Sequence, residues 1–443
     1  YIETKHIGFI DFKGNILNSN LITIIYLEPI NYEINEVIVS AQIDSTKLNE
    51  TVYNIKTISR KKIDESAAVN LSELLSQSSL FDIQYDPFLG SGLSIQGLSG
   101  NNMNIMIDGV PMIGRKGSQI DISQINLSLV EKVEILKGPA SVSYGTNSTG
   151  GLINLISKNS VLDDKITYKQ YHESVGVNQS NLFLQKKINQ TNLLLNFGTY
   201  IFDGINTDSL RQMEWRPKDQ IFGQFLVKTK LKDINIKLKK YIFNEILTDL
   251  GNENFAPFQN TANDNTFETK RVINDINLDY KNKEYSINAL IAQSNTKFIK
   301  KQYLTDLIFN TETQTDDQNY NATDEFISFF SRFEFNKLNL NSVKFQLGSD
   351  YRYEQINGPK IIDNVADIRE FSIFSQSEIF ISPRFKTQFG IRFPYHSVYD
   401  APITPSIHFK YSVNPELNFK FSYARGFRAP SIKELYMEFI DSN

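Results

Sequence analysis

Beyond residue 158 the chain is built from amphipathic segments of the length a tilted strand needs to cross a bilayer, and this most restricts what it can fold into. Apolar residues there alternate with Asn, Lys, Gln and Asp at a period of two, the spacing of a strand with one apolar face. The expected strands are 165–175, 178–187, 191–202, 220–230, 233–243, 270–280, 284–296, 325–335, 342–354, 370–380, 385–396, 404–411 and 416–425, about 13 in all. Their connections alternate in length. Short turns fall at 189–190, 231–232, 281–283, 336–341, 381–384 and 412–415, and longer loops at 203–219, 244–269, 297–324 and 355–369. Two links on the long side, near Gly176 and at 399–403, are short. Outer-membrane barrels put short turns on one rim and long loops on the other, whereas a soluble β-sandwich has no reason to sort its loops by parity. No run of about 18 apolar residues occurs, so no helical span is expected, and a closed barrel needs none.

Composition removes several functions. The chain has no Cys, and its four His (His6, His172, His396, His408) show no ligand spacing, which argues against disulfides, thiolate metal sites and zinc chemistry. Lys plus Arg number 46 against 50 Asp plus Glu, a balance that points neither to nucleic acid nor to an acidic disordered tail. No Ser-His-Asp spacing is present, so neither enzyme activity nor a cofactor is expected. The chain opens on Tyr1 without a basic and then apolar leader and reaches Asn443 through a helix-like stretch, which reads as cut at both ends.

Residues 56–158 are mixed α/β. Ala67, Val69, Leu71, Leu74 and Leu75 share one face of an expected helix over 66–77, capped by Asp64 or Ser66. Short strands are expected at 93–96, 104–107, 132–136 and 152–157. The stretch 93–109 reads as a hairpin with a Gly/Asn turn, ended by a second turn at Asp108-Gly109. Glycines are dense between these strands, as in a domain packed inside another body. G-T-N-S-T-G-G at 145–151 has the look of a phosphate loop but lacks the Lys and hydroxyl residue after its second Gly.

Taken in order, L-S-I-Q-G-L-S-G-N-N-M-N-I-M-I-D-G at 93–109, V-E-K-V-E-I-L-K-G-P-A-S-V-S-Y at 130–144 and G-T-N-S-T-G-G-L-I-N-L-I-S-K at 145–158 resemble the plug domain of TonB-dependent outer-membrane receptors. The resemblance covers essentially all of 56–158 and carries the motif positions Gln96, Gly97, Asp108, Gly109, Glu134, Lys137, Gly138, Pro139, Tyr144, Gly145, Gly150 and Gly151. It implies a transmembrane antiparallel β-barrel of about 22 strands with an N-terminal mixed α/β plug domain, the barrel's first part being residues 159–443. At positions 96 and 137 the family has, usually and often respectively, Arg paired to barrel carboxylates. Gln96 lacks that charge, and Lys137 lacks the guanidinium fork.

Glu36, Val37, Ile38, Val39, Ser40 and Ala41 form a short β-prone run that alone would be a plain edge strand. Placed ahead of a plug, it resembles the TonB box, which in the family is seized by TonB, working with ExbB and ExbD, through strand addition. Residues 1–35 are similar to the last strands and linker of a small carboxypeptidase-regulatory-like domain found in receptors of the Bacteroidetes type, and 36–55 would be box and linker. F-S-Y-A-R-G-F-R-A-P-S-I-K-E-L-Y at 421–436 reads as a strand end, a turn and a helix start, and resembles the family's F-R-A-P-S motif at the entry to an external loop. Strand parity puts it on the long-loop rim. Ligand is expected at the plug's outer turns and this loop, through Asn101, Asn102, Arg115, Lys116 and Arg428. Arg115 and Lys116 would suit an anionic chelate or haem propionates, or would be solvated loop charges.

The implied function is a lipid-embedded bacterial outer-membrane receptor that actively imports a scarce ligand, an iron-siderophore or haem complex. L-K-G-P-A-S-V-S-Y-G, in place of the L-K-D-A of starch-uptake members, favours the iron-chelate, haem or cobalamin branch. Cobalamin or oligosaccharide uptake is the alternative within the family. A passive porin-like channel or surface adhesin is the alternative outside it, and a plug with a TonB box argues against both.

Overall fold

A computed structural model describes residues 2–4, 12–14, 25–27, 37–38, 40–86, 90–115, 119–138, 140–159, 163–207, 210–317, 319–340, 342–414 and 417–438. Its largest feature is a 15-stranded sheet in which 13 strands follow one another in chain order, from Lys165–Glu173 to Asn418–Ala424, every neighbouring pair antiparallel. Two further short strands, Glu253–Ala256 and Thr311–Gln314, extend individual hairpins.

The parity of short and long connections is as the sequence predicts. The strand bounds are not. Gln259–Lys281 and Tyr285–Asp306 run for 23 and 22 residues, so much of the expected loops 244–269 and 297–324 is paired strand. Beyond the bilayer both faces of a hairpin meet water, so the apolar alternation fades while the backbone ladder continues.

Burial along the wall is inverted relative to a soluble protein. On Ile234–Asp249 the exposed residues include Leu238, Ile242 and Ile246, whereas Lys239, Tyr241, Phe243 and Glu245 are buried. Phe197, Phe225, Ile276, Phe333, Ile373 and Phe393 continue the outward apolar band on other strands. Only a hydrocarbon solvent makes an apolar outside and a charged inside the lower-energy arrangement. Among the described residues no helix is long and apolar enough to cross a membrane.

Inside the curved wall sits a five-stranded sheet in the order Val110–Pro111, Met103–Ile107, Gly151–Ser157, Val130–Lys137, Ile55–Ser59. Gly151–Ser157 and Met103–Ile107 are parallel and the other pairs antiparallel. Val133, Ile135 and Ile153 pack from this sheet against Leu71, Leu75 and Ile122 without exposure. Each such side chain contributes about 1.5–3 kcal/mol. Gly151 opens the central strand of this sheet: its φ is +131°, and a Cβ there would lie 2.4 Å from the Leu136 carbonyl oxygen.

Two expectations for this domain are corrected. The helix over 66–77 is instead two helices, Arg60–Glu65 and Leu71–Ser76, with Ala67 in the left-handed region between them. Asp64 is inside the first helix, paired with Arg60, and the cap of the second is Asn70, whose side chain accepts from the Glu73 amide while Glu73 accepts from Val69. This reciprocal capping stops the helix from running back to residue 66. The expected hairpin over 93–109 does not form either: Gly90–Ile95 turns back on Leu98–Ser99 in a separate small sheet, and Met103–Ile107 joins the central one. Positive φ at both Gln96 and Gly97 makes the tight two-residue turn that separates them.

Ahead of the plug, Ile2–Thr4 pairs with Phe12–Gly14, and residues 25–27 lie outside any strand. Of the segment 36–41, Glu36 and Val39 lie outside the described residues, as do Lys116 and Pro139 of the expected sites.

Candidate functional site

A cavity of about 440 Å³ opens at the long-loop rim, between the plug, the wall and the helix Ile432–Tyr436. That helix is held by a capping box in which Ser431 accepts from the Glu434 amide and Glu434 from the Ser431 amide. Burial by itself would raise the Glu434 carboxyl, but hydrogen bonds from Ser431 and Arg428 hold it below the ordinary range. Asn101, 2% exposed, donates to Glu434 at 3.0 Å. Its carbonyl oxygen and the Asn104 amide nitrogen are buried at the cavity without a partner. Such groups cost about 1–3 kcal/mol each unless something polar meets them.

The charges around the cavity are balanced. Arg352 lies 3.8 Å from Glu354 and 3.7 Å from Glu370, Lys433 pairs with Asp324 at 2.7 Å, and Arg428 pairs with Glu434. Arg115 also lines the cavity, but its guanidinium donates to the Gly100 and Met103 carbonyls at 3.1 Å each, and burial pulls it down to about 10. Asn102 is turned to Ser99 and Thr149. The structure thus gathers Asn101, Arg115 and, through Glu434, Arg428 at one place. Sequence reasoning missed the wall's part, although Asp350, Arg352 and Glu354 alternate with Tyr351 and Tyr353 and so mark a charged inner face.

At the short-turn end residues 37–38 and 40–41 are docked on the plug. Val37–Ile38 pairs with Thr46–Lys47, and Ile38 and Ala41 are buried beside Tyr53, Leu136 and Tyr144. The Ser40 amide donates to Glu134 at 2.8 Å, the Ala41 amide to the Tyr144 hydroxyl at 2.8 Å, and Asn154 to the Ser40 hydroxyl at 3.0 Å. Lys132 bridges Glu134 and the Val37 carbonyl. Burial, foremost, pushes the Tyr144 hydroxyl up to about 12, so it stays neutral. Most of the hydrogen bonds holding the segment use its backbone, the kind of hold that strand addition by another chain can replace.

Three of the contacts that tie plug to wall use buried charged side chains of the wall. In the first, Asp108 of the Asp108-Gly109 turn meets Lys239 at 2.7 Å and Lys237 at 3.3 Å, and Lys239 also reaches Asp275 at 3.0 Å. Burial opposes the charge of Asp108, yet the two lysines hold its carboxyl far below the usual range. In the second, Gln124 donates to Glu245 at 2.7 Å. In the third, Arg332 and Arg392 share Asp350 and donate to the Ser143 and Val142 carbonyls of the S-V-S-Y turn. Gly145 follows that turn at φ +75°, where a Cβ would lie 3.0 Å from the Arg392 guanidinium. At Asp108 the polarity is the reverse of the arrangement the resemblance implies, because the cations belong to the wall. Lys137 is half-buried at the end of its strand, beside Gly138, and Gly150 lies against Leu98 and Met103.

Gln96 is exposed at its turn. Gln96→Arg is therefore expected to leave urea-induced plug release within about 0.5 kcal/mol of the parent, the range of surface substitutions. Asp108→Asn should instead weaken retention by about 3 kcal/mol, because a buried lysine pair loses half of its counter-charge. The depressed carboxyl sets the sign of the pH effect: its contribution is complete above about pH 4 and fades as acidity approaches the lowered value. Release measured from pH 7 down to pH 2 should differ between parent and variant by a constant amount above about pH 4 and by less toward the acid end.

A family model for the "TonB-dependent Receptor Plug Domain" matches residues 47–152, and one for the "TonB dependent receptor-like, beta-barrel" matches residues 215–443. The chain belongs to the TonB-dependent receptors, a family of outer-membrane plug-and-barrel proteins that are receptors and transporters, not enzymes. Among curated proteins it is similar to the vitamin B12 transporter BtuB of Vibrio cholerae, 29% identical over 141 residues, which are 30% of this chain and 23% of that one. BtuB of Vibrio vulnificus is 28% identical over 145 residues, 32% and 24% of the two chains. Among solved structures, the ferric enterobactin receptor PfeA of Pseudomonas aeruginosa superposes with a TM-score of 0.69 at 15% identity, covering 85% of this chain and 63% of that one. The siderophore receptor PiuA of Acinetobacter baumannii gives 0.69 at 14%, with 92% and 70% covered. These likenesses establish the shared fold. The matched region spans about a quarter of the curated relatives' length.

Proposed function

We propose that this protein takes up a scarce iron chelate, a siderophore complex or haem, across the outer membrane, with energy delivered by TonB, ExbB and ExbD through residues 36–41. One observation carries the reading: a single plug joins a cavity of mixed apolar and charged lining at the long-loop rim to an extended segment docked mainly by its backbone at the other end. Ligand would be met by the unpartnered Asn101 carbonyl oxygen and Asn104 amide nitrogen and by the charged wall residues Arg352, Glu354 and Glu370. Binding and displacement suffice, and no covalent step is invoked. Cobalamin is the second reading, favoured by the plug's similarity to proteins named as vitamin B12 transporters. Titration of the purified receptor with ferric enterobactin, ferrichrome, haem and cyanocobalamin tests both. The proposal expects tight binding to an iron chelate, and tight binding of cyanocobalamin alone would replace it with the second reading.

A further inference from the structure

A small void of about 20 Å³ lies between the plug turn Ser141–Tyr144 and the wall strands Phe385–His396 and Thr404–Ser412. Of its described walls only Glu370 also borders the 440 Å³ cavity. The size admits one occupant about as large as a water and excludes a chelate or an ion of sulfate size. Five polar atoms of the side chains around it are buried without a partner among the described residues: the Ser141, Tyr399 and Thr404 hydroxyls, Arg392 Nε and His396 Nε2. Ser141, Arg392, His396 and Thr404 are each at most 5% exposed.

These five groups are donors or can act as donors. His396 Nδ1 accepts from the Val398 amide at 3.1 Å, which fixes the neutral tautomer with its proton on Nε2. The imidazole is held by stacking on the Tyr399 ring, with centroids 3.8 Å apart and planes 15° from parallel. Arg392 uses Nη2 on Asp350 at 2.8 Å and Nη1 on the Val142 carbonyl at 3.3 Å, which leaves its Nε–H over. A water accepts two hydrogen bonds and donates two, so it serves four of the five groups at most, whereas a monatomic anion accepts from all of them. Charge points the same way, because Arg332 and Arg392 share the one carboxylate of Asp350. Glu370 opposes an anion, at 3.7 Å from His396 Nε2, but Arg352 stands 3.7 Å from its carboxylate and the Thr146 hydroxyl donates to it at 3.5 Å.

We propose that this void is a binding site for a single halide ion, chloride or bromide. Arg392, His396 and Thr404 hold the ion from the wall strands, Tyr399 from the connection between them, and Ser141 from the plug. One ion thereby ties the plug turn to the wall through donors that otherwise stay unmet. Release of the plug takes Ser141 away and breaks up the site, so the ion favours the docked plug by mass action. The inference holds whichever ligand the receptor imports.

Bromide is the probe, in the receptor purified from its native outer membrane. Crystals grown in sodium bromide should show an anomalous peak between Arg392 Nε and His396 Nε2. In solution, the equilibrium constant for urea-induced plug release should fall about two- to tenfold as bromide rises from about one to nine times its Kd. Ionic strength is held constant with sodium gluconate, whose anion is too large to enter. Tyr399→Phe combined with Thr404→Val removes two hydroxyls while keeping both side-chain shapes, and should weaken bromide about fivefold or more. Should that variant not fold, the anomalous map of the parent decides alone. A void that holds only water, with no anomalous peak, overturns the proposal, and so does release that is the same in bromide and gluconate. An undiminished bromide effect in the folded variant also overturns it, because the ion then acts elsewhere.

Discussion

Deletion of residues 36–41 from the receptor in its native outer membrane is expected to reduce energised uptake to background while ligand affinity stays within about twofold of the parent. The reason is geometric. The described residues of the segment contact the plug at the short-turn end, through Glu134, Tyr144 and Asn154, and none borders the cavity at the long-loop rim. Strand addition draws on main-chain groups, so scattered side-chain changes should matter less than removal of the run or a proline within it, which deletes an amide donor. Uptake and equilibrium binding of the same chelate, measured on the same membranes, separate the two roles. Persistent uptake would end the assignment of the segment.

The second large effect concerns the wall. In the structure Lys165–Glu173 and Asn418–Ala424 each pair with one neighbouring strand of the sheet, so among the described residues the sheet has two edges. In hydrocarbon every unpaired backbone group costs several kcal/mol, and each edge exposes a row of them. A polypeptide of these 443 residues alone is therefore expected not to insert as a stable barrel. Its refolded product should lack the compact, heat-modifiable band typical of outer-membrane barrels and should be digested by trypsin. A compact, protease-resistant band would mean that the edges find partners, by pairing with each other or with a second copy.

The strand count and rim parity were legible because a bilayer imposes a period of two and a minimum length on each strand, and both appear directly in residues such as Leu238, Lys239, Tyr241 and Ile242. Plug motifs were legible because tight turns admit few residues. The Asp108-Gly109 turn and Gly151 at φ +131° are read from local chemistry alone. The capping of Leu71–Ser76 was also local, but Asn70 and Glu73 were overshadowed by an apolar pattern that ran through Ala67 and Val69.

What only the tertiary structure decided is which residues from distant segments meet. Tyr144 lies 103 positions from Ala41, and Arg392 lies 250 from Val142, and nothing in local periodicity encodes either contact. The same holds for Asp108, whose partners stand on the wall 129 and 131 positions away at Lys237 and Lys239. Sequence by itself determined a strand-built membrane protein with a plug, since period, length and turn chemistry are local properties. The cavity, the docked segment and the cations on the wall side of the Asp108 anchor were decided by how the plug sits in the wall, since burial and ion pairing depend on neighbours brought together by the fold.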